Sequence, residues 1–225
     1  AEAALEVRYG GEAGAEALYS LAGVQDLHRE LFGRLPAQDW EVAEGQVVIP
    51  GALRTREVSV GQHVAPAAAS VPMFVERWAQ RYGQVRRGEA ALVAMACAHQ
   101  RLGWVHPFMD GNGRVMRLHT HTVLSALGYT NGLWSPLRGF ARGQERYYAL
   151  LADADSARRG DLDGRGNLSE QALMVWADYV LETCLDQVRF MARMLDFDQI
   201  KDRIEASLVF ESSVLKTGVR KEALR

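Results

Sequence analysis

The segment from His106 to Arg117 carries residues whose types and spacing could do chemistry. It reads His-Pro-Phe-Met-Asp-Gly-Asn-Gly-Arg-Val-Met-Arg and lies between two apolar stretches with helical spacing. An imidazole such as that of His106 titrates near neutral pH, so it could take the proton of an attacking hydroxyl group. Asp110 supplies a hard carboxylate oxygen, which Mg²⁺ accepts when phosphates and waters complete its shell.

The same segment predicts a phosphate site. Gly111, Asn112 and Gly113 stand where a helix begins, so their main-chain N–H groups could converge on an anion, helped by the helix dipole. Arg114 and Arg117 are three residues apart and share one face of the first helical turns. Guanidinium groups bind phosphate oxygens in bidentate fashion. The set therefore predicts phosphoryl or nucleotidyl transfer, catalysed by positioning and charge neutralisation.

The flanking sequence predicts a mainly α fold that positions this loop. Apolar residues recur at helical spacing on both sides of it, Gly33 and Gly128 are predicted to end helices, and Ser169 is a predicted N-cap. The predicted helices cover residues 18–32, 71–82, 89–103, 115–127, 144–153 and 169–198.

One β-hairpin is predicted between Val47 and Val60. Three β-branched residues precede a Pro50-Gly51 turn, and rough alternation of polar and apolar residues follows it. A single hairpin is too small to form a sheet core. We therefore expect it to lie across the helical body as a flap.

Composition is that of a globular protein. The chain has 225 residues, 48% apolar and 24% charged, which argues against disorder, collagen and coiled coil. A net charge of −2 gives no overall positive field for nucleic acid or an anionic membrane, and no run of 18 apolar residues predicts a membrane span. Cys97 and Cys184 lie in helix-patterned stretches, which favours free thiols and a cytoplasmic location. The other histidines, including His28, His63 and His99, are interpreted as ordinary structural groups.

The domain organisation follows from these patterns. We expect one domain over residues 1–200, with a core at about 18–153 and a long packing helix at about 169–198. Residues 201–225 are expected to form a C-terminal helical extension. Because the chain starts at Ala1 and stops in a charged, helix-compatible run, we expect that it is a fragment whose extension could link to a missing domain. Nucleic acid is expected as a partner only through such a domain, and a homodimer is left open.

The loop resembles the signature of the Fic family, His-Pro-Phe-x-Asp/Glu-Gly-Asn-Gly-Arg-x-x-Arg, with every specified position filled. Residues 25–32 (QDLHRELF), 51–60 (GALRTREVSV) and 144–150 (QERYYAL) are similar to the family's helix before the flap, its flap hairpin and the helix that closes its adenine pocket. The resemblance implies a Fic-type helical domain with a small β-hairpin flap. It also implies a protein adenylyltransferase that transfers AMP from Mg·ATP to a Ser, Thr or Tyr hydroxyl of a target protein and releases pyrophosphate.

The resemblance also implies roles for individual residues. His106 would be the general base, Phe108 would anchor the loop, and Asp110 would bind Mg²⁺. The α-phosphate would be surrounded by Gly111, Asn112 and Gly113, and the outer phosphates would be bound by Arg114 and Arg117. The adenine side would be formed by Tyr147 and Tyr148. The flap that aligns the target would include Arg56, Val58 and Val60. The family's inhibitory segment, Ser/Thr-x-x-x-Glu-Gly/Asn, has no match in the sequence.

Two alternatives stay open at this point. The first is a Fic-type transferase of another group, such as UMP, phosphocholine or phosphate, because the loop recognises phosphates while the base pocket chooses the group. The second is a non-catalytic nucleotide-binding regulatory module. The second glycine of Gly-Asn-Gly favours AMP over a kinase-like reaction, and retention of His106 argues against a module that only binds.

Overall fold

The computed structural model describes residues 2–42, 45–61, 63–84 and 88–215, with the side chains of all but 197–199 and 212–215 among them. Within these residues, ten α-helices, two short 3₁₀ helices and two short antiparallel hairpins form the regular structure, so the predicted mainly α fold is confirmed. The helices are α1 (Glu2–Arg8), α2 (Gly11–Leu18), α3 (Leu21–Phe32), α4 (Val71–Tyr82), α5 (Gly88–Val105), α6 (Asn112–Ala126), α7 (Pro136–Arg142), α8 (Gln144–Asp153), α9 (Glu170–Met194) and α10 (Phe197–Leu215).

Helix α5 is the centre of the fold, because most of its residues are buried and it packs against α4, α6 and α9. Two tryptophans, one on each of two neighbouring helices, donate hydrogen bonds to α5. Trp78 of α4 donates its indole N–H to the carbonyl of Ala98 at 2.9 Å, and Trp176 of α9 donates to the carbonyl of Ala96 at 2.8 Å. These bonds satisfy the indole groups inside an apolar core, as buried polar atoms require. The middle of α5, the helix that leads into the signature loop, is thereby held in place.

Helix α6 is also largely buried, which fixes the other side of the loop. Helices α1, α2 and α3 pack on it, and α5 lies along it. The loop from His106 to Gly111 therefore joins two helices that the core holds firmly. This arrangement supports precise placement of the polar side chains between them.

The predicted single hairpin is wrong. Strand β1 (Glu41–Val42) pairs with β2 (Gln46–Val47), and β3 (Ser59–Val60) pairs with β4 (His63–Val64), so the structure has two hairpins. Residues 48–58 between them do not pair with each other as strands, because their polar groups bind other parts of the chain. Gly51 N–H donates to His28 Nδ1 at 2.8 Å, Gln25 donates to the Gly51 carbonyl at 2.8 Å, and Arg54 N–H donates to the Pro107 carbonyl at 2.9 Å.

Predicted and observed helix bounds differ most at two places. The helix predicted over 18–32 is divided, because Ser20 accepts a hydrogen bond from Gly23 N–H at 2.9 Å and caps a new helix, α3. The helix predicted to reach residue 198 ends at Met194, and α10 starts at Phe197. Arg203 of α10 donates to the carbonyls of Arg193 and Met194, which satisfies acceptors at the end of α9. By contrast, the predicted bounds at 71–82 and 144–153 are confirmed.

Candidate active site

His106 follows the last turn of α5 in an unusual backbone conformation. Its φ of 51° lies in the left-handed region, which costs energy for a residue with a Cβ atom. Bonds on both sides hold this conformation. His106 N–H donates to the Leu102 carbonyl at 3.1 Å, and its own carbonyl accepts from Arg54 Nε at 2.7 Å. The turn directs the chain out of α5 and sets the imidazole into the cleft described below.

The hydrogen bonds of the His106 ring indicate its tautomer. Nδ1 lies 3.3 Å from the carbonyl oxygen of Gly103, and a carbonyl can only accept, so Nδ1 carries the proton. Burial lowers the pKa of His106, and the charges of His63 and Arg54 act in the same direction, against the Gly103 carbonyl and Asp110. The ring is therefore neutral near pH 7, with a lone pair on Nε2. That is the form in which an imidazole accepts a proton.

The start of α6 is built to leave main-chain amides available. Gly111 adopts a φ of 78°, and among the described residues no side chain caps this helix end. The first helical bond runs from Val115 N–H to the Gly111 carbonyl at 2.8 Å, so the N–H groups of the preceding turn have no intrahelical acceptor. Their positive ends and the helix dipole favour an anion at this point.

The side chain of Asn112 is occupied in holding the loop. Its Oδ1 accepts from Phe108 N–H at 2.8 Å, and its Nδ2 donates to the Phe108 carbonyl at 2.8 Å. Phe108 itself is fully buried, which agrees with the anchoring role expected from the sequence. The side chain of Asn112 therefore ties the two ends of the loop together. Only its main-chain N–H is left to bind an anion.

Both arginines of the signature flank this helix start. Arg114 Nη2 donates to Asp110 Oδ2 at 2.7 Å, and its guanidinium lies over the Phe32 ring at 5.3 Å. The Arg117 guanidinium lies near Gly113, because a Cβ atom built on that glycine would stand 3.4 Å from Arg117 Nη1. A side chain at Gly113 would therefore contact the cation that the sequence assigns to the outer phosphates.

One open cleft of about 700 Å³ collects these groups. Its walls come from the loop and α6 on one side and from the end of α8 and the hairpin β3–β4 on the other. The residues that line it are Val60, Gly61, His63, Gly103, Trp104, His106, Asp110, Gly111, Asn112, Gly113, Arg114, Met116, Arg117, Tyr148, Leu151, Ala152, Asp155 and Ser156. A cleft of this size accommodates a nucleotide-sized ligand.

The predicted adenine-side tyrosines separate in the structure. Tyr148 lines the cleft and has 49% of its surface exposed, whereas Tyr147 is 2% exposed. The Tyr147 hydroxyl lies 2.9 Å from Nε2 of the buried His99, whose Nδ1 lies 2.7 Å from Thr120 Oγ1. Tyr147 thus belongs to a polar group inside the core. The structure does not bring it to the cleft surface.

The predicted flap residues also separate. Val60 of β3 lines the cleft, but Arg56 and Val58 lie on the segment that leads into the hairpin. The Val58 carbonyl accepts from Ala65 N–H at 3.3 Å, which extends the pairing of the hairpin by one bond. The Arg56 carbonyl accepts from Arg54 Nη1 at 2.9 Å. Of the three, only Val60 contributes to the cleft wall.

Asp110 has the chemistry of a Mg²⁺ ligand. Arg114 binds one of its two carboxylate oxygens, and a carboxylate keeps further lone pairs for a cation. Among the described residues, no cluster of three or more His, Cys, Asp or Glu side chains could hold a metal by itself. Mg²⁺ commonly uses one or two carboxylates and completes its shell with phosphates and waters. The donor set therefore fits a Mg²⁺ ion that arrives with a nucleotide.

Two residues that support the loop were missed in the sequence. Arg54 is 2% exposed and donates to the carbonyls of His106, Arg56 and Pro66, which joins the loop to the segment around the hairpin. His28 is fully buried and stacks on Phe108, with ring centroids 3.9 Å apart. The spacing of four residues between His28 and Phe32 indicates that they share a helix face. The contact of His28 with the distant Phe108 could not be predicted from local spacing.

The structure adds one finding on membranes. Among the described helices, none combines the length and the apolar character that a membrane crossing needs.

Comparisons with known proteins find similar chains of one family. The model of the Fic/DOC family matches residues 18–124. The proteins called protein adenylyltransferase Fic from Drosophila grimshawi and Drosophila virilis are each 32% identical over 111 residues, which is 49% of this chain and 21% of theirs. A crystal structure of a Fic family protein from Desulfovibrio desulfuricans G20 is similar with a TM-score of 0.55 and 25% identity, covering 84% of this chain and 53% of that one. The chain thus spans about a fifth of the length of those curated relatives and about half of the solved chain.

Proposed function

From the match of residues 18–124 to the Fic/DOC family, we propose that the protein is a protein adenylyltransferase. It transfers AMP from Mg·ATP to a Ser, Thr or Tyr hydroxyl of a target protein and releases pyrophosphate. The adenylyltransferase names of the Drosophila relatives support this choice of group.

One observation carries the proposal. A neutral imidazole, His106, lines the same cleft as an uncapped helix start and the two arginines of the signature. Main-chain amides and guanidinium groups suit the phosphates of a nucleotide, and a neutral imidazole suits an incoming hydroxyl. A site that only bound a nucleotide would gain nothing from a base at this position.

The reaction assigned to these residues is an in-line displacement at the α-phosphorus. The hydroxyl oxygen of the target forms a bond to that phosphorus, and its proton passes to Nε2 of His106. The bond from the α-phosphorus to the oxygen that bridges to the β-phosphorus breaks, and pyrophosphate leaves with that oxygen. Amides at the start of α6 and Arg117 balance the charge that develops on the phosphate oxygens.

Asp110 is the residue that would hold Mg²⁺. The ion supplies charge neutralisation of the outer phosphates when it is bound. Arg114 binds the carboxylate of Asp110 and thereby keeps it at the edge of the cleft. The protein contributes the position of the carboxylate, and the nucleotide contributes the remaining oxygens.

The hairpin β3–β4 is the element assigned to the target protein. Val60 and Gly61 line the cleft, and β3 and β4 each span two residues. An extended target segment could add to such a strand through main-chain hydrogen bonds, which makes few demands on its sequence. The hydroxyl residue of the target would then stand near His106.

The alternative is transfer of another phosphate-containing group through the same loop. The phosphate-binding part of the cleft does not choose the base, so UMP, phosphocholine or phosphate transfer would use the same His106. Gly113 favours nucleotidyl transfer, because a longer side chain there would lie against the Arg117 guanidinium, which is 3.4 Å from the position of an added Cβ atom.

Labelled ATP tests the proposal directly. Protein incubated with Mg²⁺ and ATP labelled at the α-phosphate should label itself or a target in host lysate, and ATP labelled at the γ-phosphate should give no protein label. Label from the γ position alone would indicate phosphoryl transfer. Measurable ATP binding without label from either position would support the regulatory module instead.

A further inference from the structure

His63 of strand β4 makes two polar contacts that tie the hairpin to the cleft. Its Nε2 lies 2.9 Å from the main-chain oxygen of Trp104, and its Nδ1 lies 3.0 Å from Asp155 Oδ2. The first partner belongs to the last turn of α5, and the second follows α8. His63 therefore joins three parts of the chain that surround the cleft.

Both partners of His63 are acceptors, which selects one protonation state. A carbonyl oxygen and a carboxylate each need a donor, and only the imidazolium carries an N–H on both ring nitrogens. A neutral ring would face one of the two oxygens with a lone pair. The hydrogen bond and charge of Asp155 raise the pKa of His63, with a smaller contribution from the Trp104 carbonyl, against burial and the charge of Arg54.

The partner Asp155 is itself anchored in the core. Gln100 of α5 is fully buried and donates its Nε2 to Asp155 Oδ1 at 2.7 Å. Arg101 Nη1 donates to Gln100 Oε1 at 2.7 Å and to the Ala154 carbonyl at 3.0 Å, which holds the chain next to Asp155. The carboxylate is therefore a fixed point to which the hairpin attaches.

The attachment lies beside the proposed base. The ring centroids of His63 and His106 are 6.4 Å apart, and Trp104 is two residues before His106. Strand β3, which pairs with β4, supplies Val60 to the cleft wall. Any loosening of His63 would shift the strand that is assigned to the target.

We propose that His63, as an imidazolium held between Trp104 and Asp155, is a positioning residue that latches the hairpin β3–β4 over the cleft and so sets the target strand beside His106. The assignment of the target to this strand rests on the proposed function, whereas the latch itself rests on the contacts of His63. His63 acts through the hairpin and through its charge, and it takes no proton from the target.

The latch has a defined pH dependence. The groups that face His63 are Asp155, the Trp104 carbonyl, Arg54 and His106. Because the folded-state pKa of His63 is raised, the latch is complete below the ordinary imidazole pKa near 6.5 and is lost as the pH rises through the raised value. Its positive charge also disfavours protonation of His106, which keeps the base in its neutral form.

Three variants distinguish loss of the latch from a nonspecific effect of substitution on the structure. Asp155→Asn keeps the shape and removes the charge that holds the imidazolium, and His63→Gln removes the titrating group. Asp153→Asn is the matched control, since it removes an exposed carboxylate two residues away at the end of α8. The readouts are the His63 pKa from NMR titration and the exchange protection of the Ala65 amide, which bonds to Val58 within the hairpin. A third is the KM for target protein at saturating Mg·ATP.

The expected result is specific to the latch residues. Asp155→Asn should lower the pKa of His63 and reduce Ala65 protection by roughly tenfold, the factor that corresponds to one pKa unit. His63→Gln should make Ala65 protection independent of pH between 6 and 9, a range of about three units around the imidazole transition. Both should raise the KM for the target by a larger factor than they weaken the affinity for Mg·ATP, and Asp153→Asn should match the wild type.

Two results would overturn the latch. One is an unchanged Ala65 protection in Asp155→Asn, and the other is an equal effect of Asp153→Asn. Wild-type protein that transfers no label would instead contradict the proposed function and the positioning role that depends on it. The exchange and titration data would still decide whether His63 holds the hairpin, so the two failures can be told apart.

Discussion

His28 Nε2 lies 3.1 Å from the main-chain oxygen of Asp110, although the two residues are 82 positions apart in the sequence. The other ring nitrogen, Nδ1, accepts from Gly51 N–H at 2.8 Å, so Nε2 carries the proton and donates to Asp110. The ring also stacks between Phe32 and Phe108, with centroids 4.5 and 3.9 Å away. One buried histidine thus connects α3, the segment before the hairpin and the signature loop.

Replacing His28 by Phe should destabilise the loop. The variant keeps a ring between Phe32 and Phe108, but it leaves Gly51 N–H and the Asp110 carbonyl without their partner. A buried polar group that loses its partner costs about 1–3 kcal/mol, so urea unfolding should show a loss of at least that size. Affinity for Mg·ATP should fall as well, because Asp110 and Gly111 lose their support. Unchanged stability and affinity would mean that stacking alone holds the loop.

Gly111→Ala should be costlier than the same change at another left-handed glycine. Gly111 has a φ of 78°, and an added Cβ atom would stand 2.6 Å from Phe32 Cε2. Gly128 has a φ of 77°, and a Cβ atom added there would meet no atom within 4 Å, so it is the matched control that carries the backbone cost alone. Both variants should lose about 1–3 kcal/mol through backbone strain, and Gly111→Ala should lose more and bind Mg·ATP less well. Equal losses in urea unfolding would argue against the contact with Phe32.

The two adjacent tyrosines should respond differently to substitution. Tyr147→Phe removes the bond to His99 inside the core, so stability should fall by about 1 kcal/mol. The hydroxyl also contacts Arg117, so affinity for Mg·ATP should fall too, but less than in Tyr148→Ala. Tyr148→Ala removes a half-exposed ring from the cleft wall, so affinity for ATP should fall with little change in stability. Calorimetric titration and thermal unfolding measure both quantities. The reverse pattern would place the nucleotide base at Tyr147 after all.

Acid should destabilise the protein through its buried histidines. Burial lowers the pKa of His119 to about 4 and that of His99 to about 3, so the folded state resists protons that the unfolded chain takes up near pH 6.5. The free energy of unfolding should therefore fall as the pH drops from 6.5 toward 4, by up to about 1.4 kcal/mol per pH unit for each histidine. His119→Phe keeps a ring against Tyr19 and Trp78 and should flatten this slope. A slope equal to that of the wild type would show that His119 is not a source of the acid sensitivity.

Local patterns predicted those helices whose signals are local. The apolar stripe and Pro72 of α4 were enough to place its bounds, and the predicted bounds of α8 agree with the structure. The prediction of a single hairpin was wrong, because it rested on a Pro50-Gly51 turn next to β-branched residues. In the structure, Gly51 and Arg54 form hydrogen bonds with His28, Gln25 and Pro107 instead. Partners that far apart in the chain have no fixed spacing.

The candidate site was likewise predictable where its residues are close in sequence, and it was not predictable where they are distant. Residues 106–117 were predicted together because they are contiguous, and the structure gathers His106, Asp110 and the two arginines in one cleft. His63 and Asp155 were not predicted, since their contact joins a hairpin to the end of a helix 92 positions away in the sequence numbering. Tyr147 and Tyr148 are neighbours in sequence, and helical geometry alone turns one inward and the other toward the cleft.

The transfer reaction itself is tested most directly by comparing His106→Ala with the wild type at saturating Mg·ATP, with α-labelled ATP as substrate and ATP affinity measured on the same samples. Arg117→Ala serves as the reference for a binding defect. The proposed roles predict that His106→Ala loses label transfer by at least about a hundredfold, the size of a general-base contribution, while it binds ATP as the wild type does. Arg117→Ala should bind ATP more weakly. Full label transfer by His106→Ala, or an equal loss of ATP affinity in both variants, would contradict the assignment of His106 as the base.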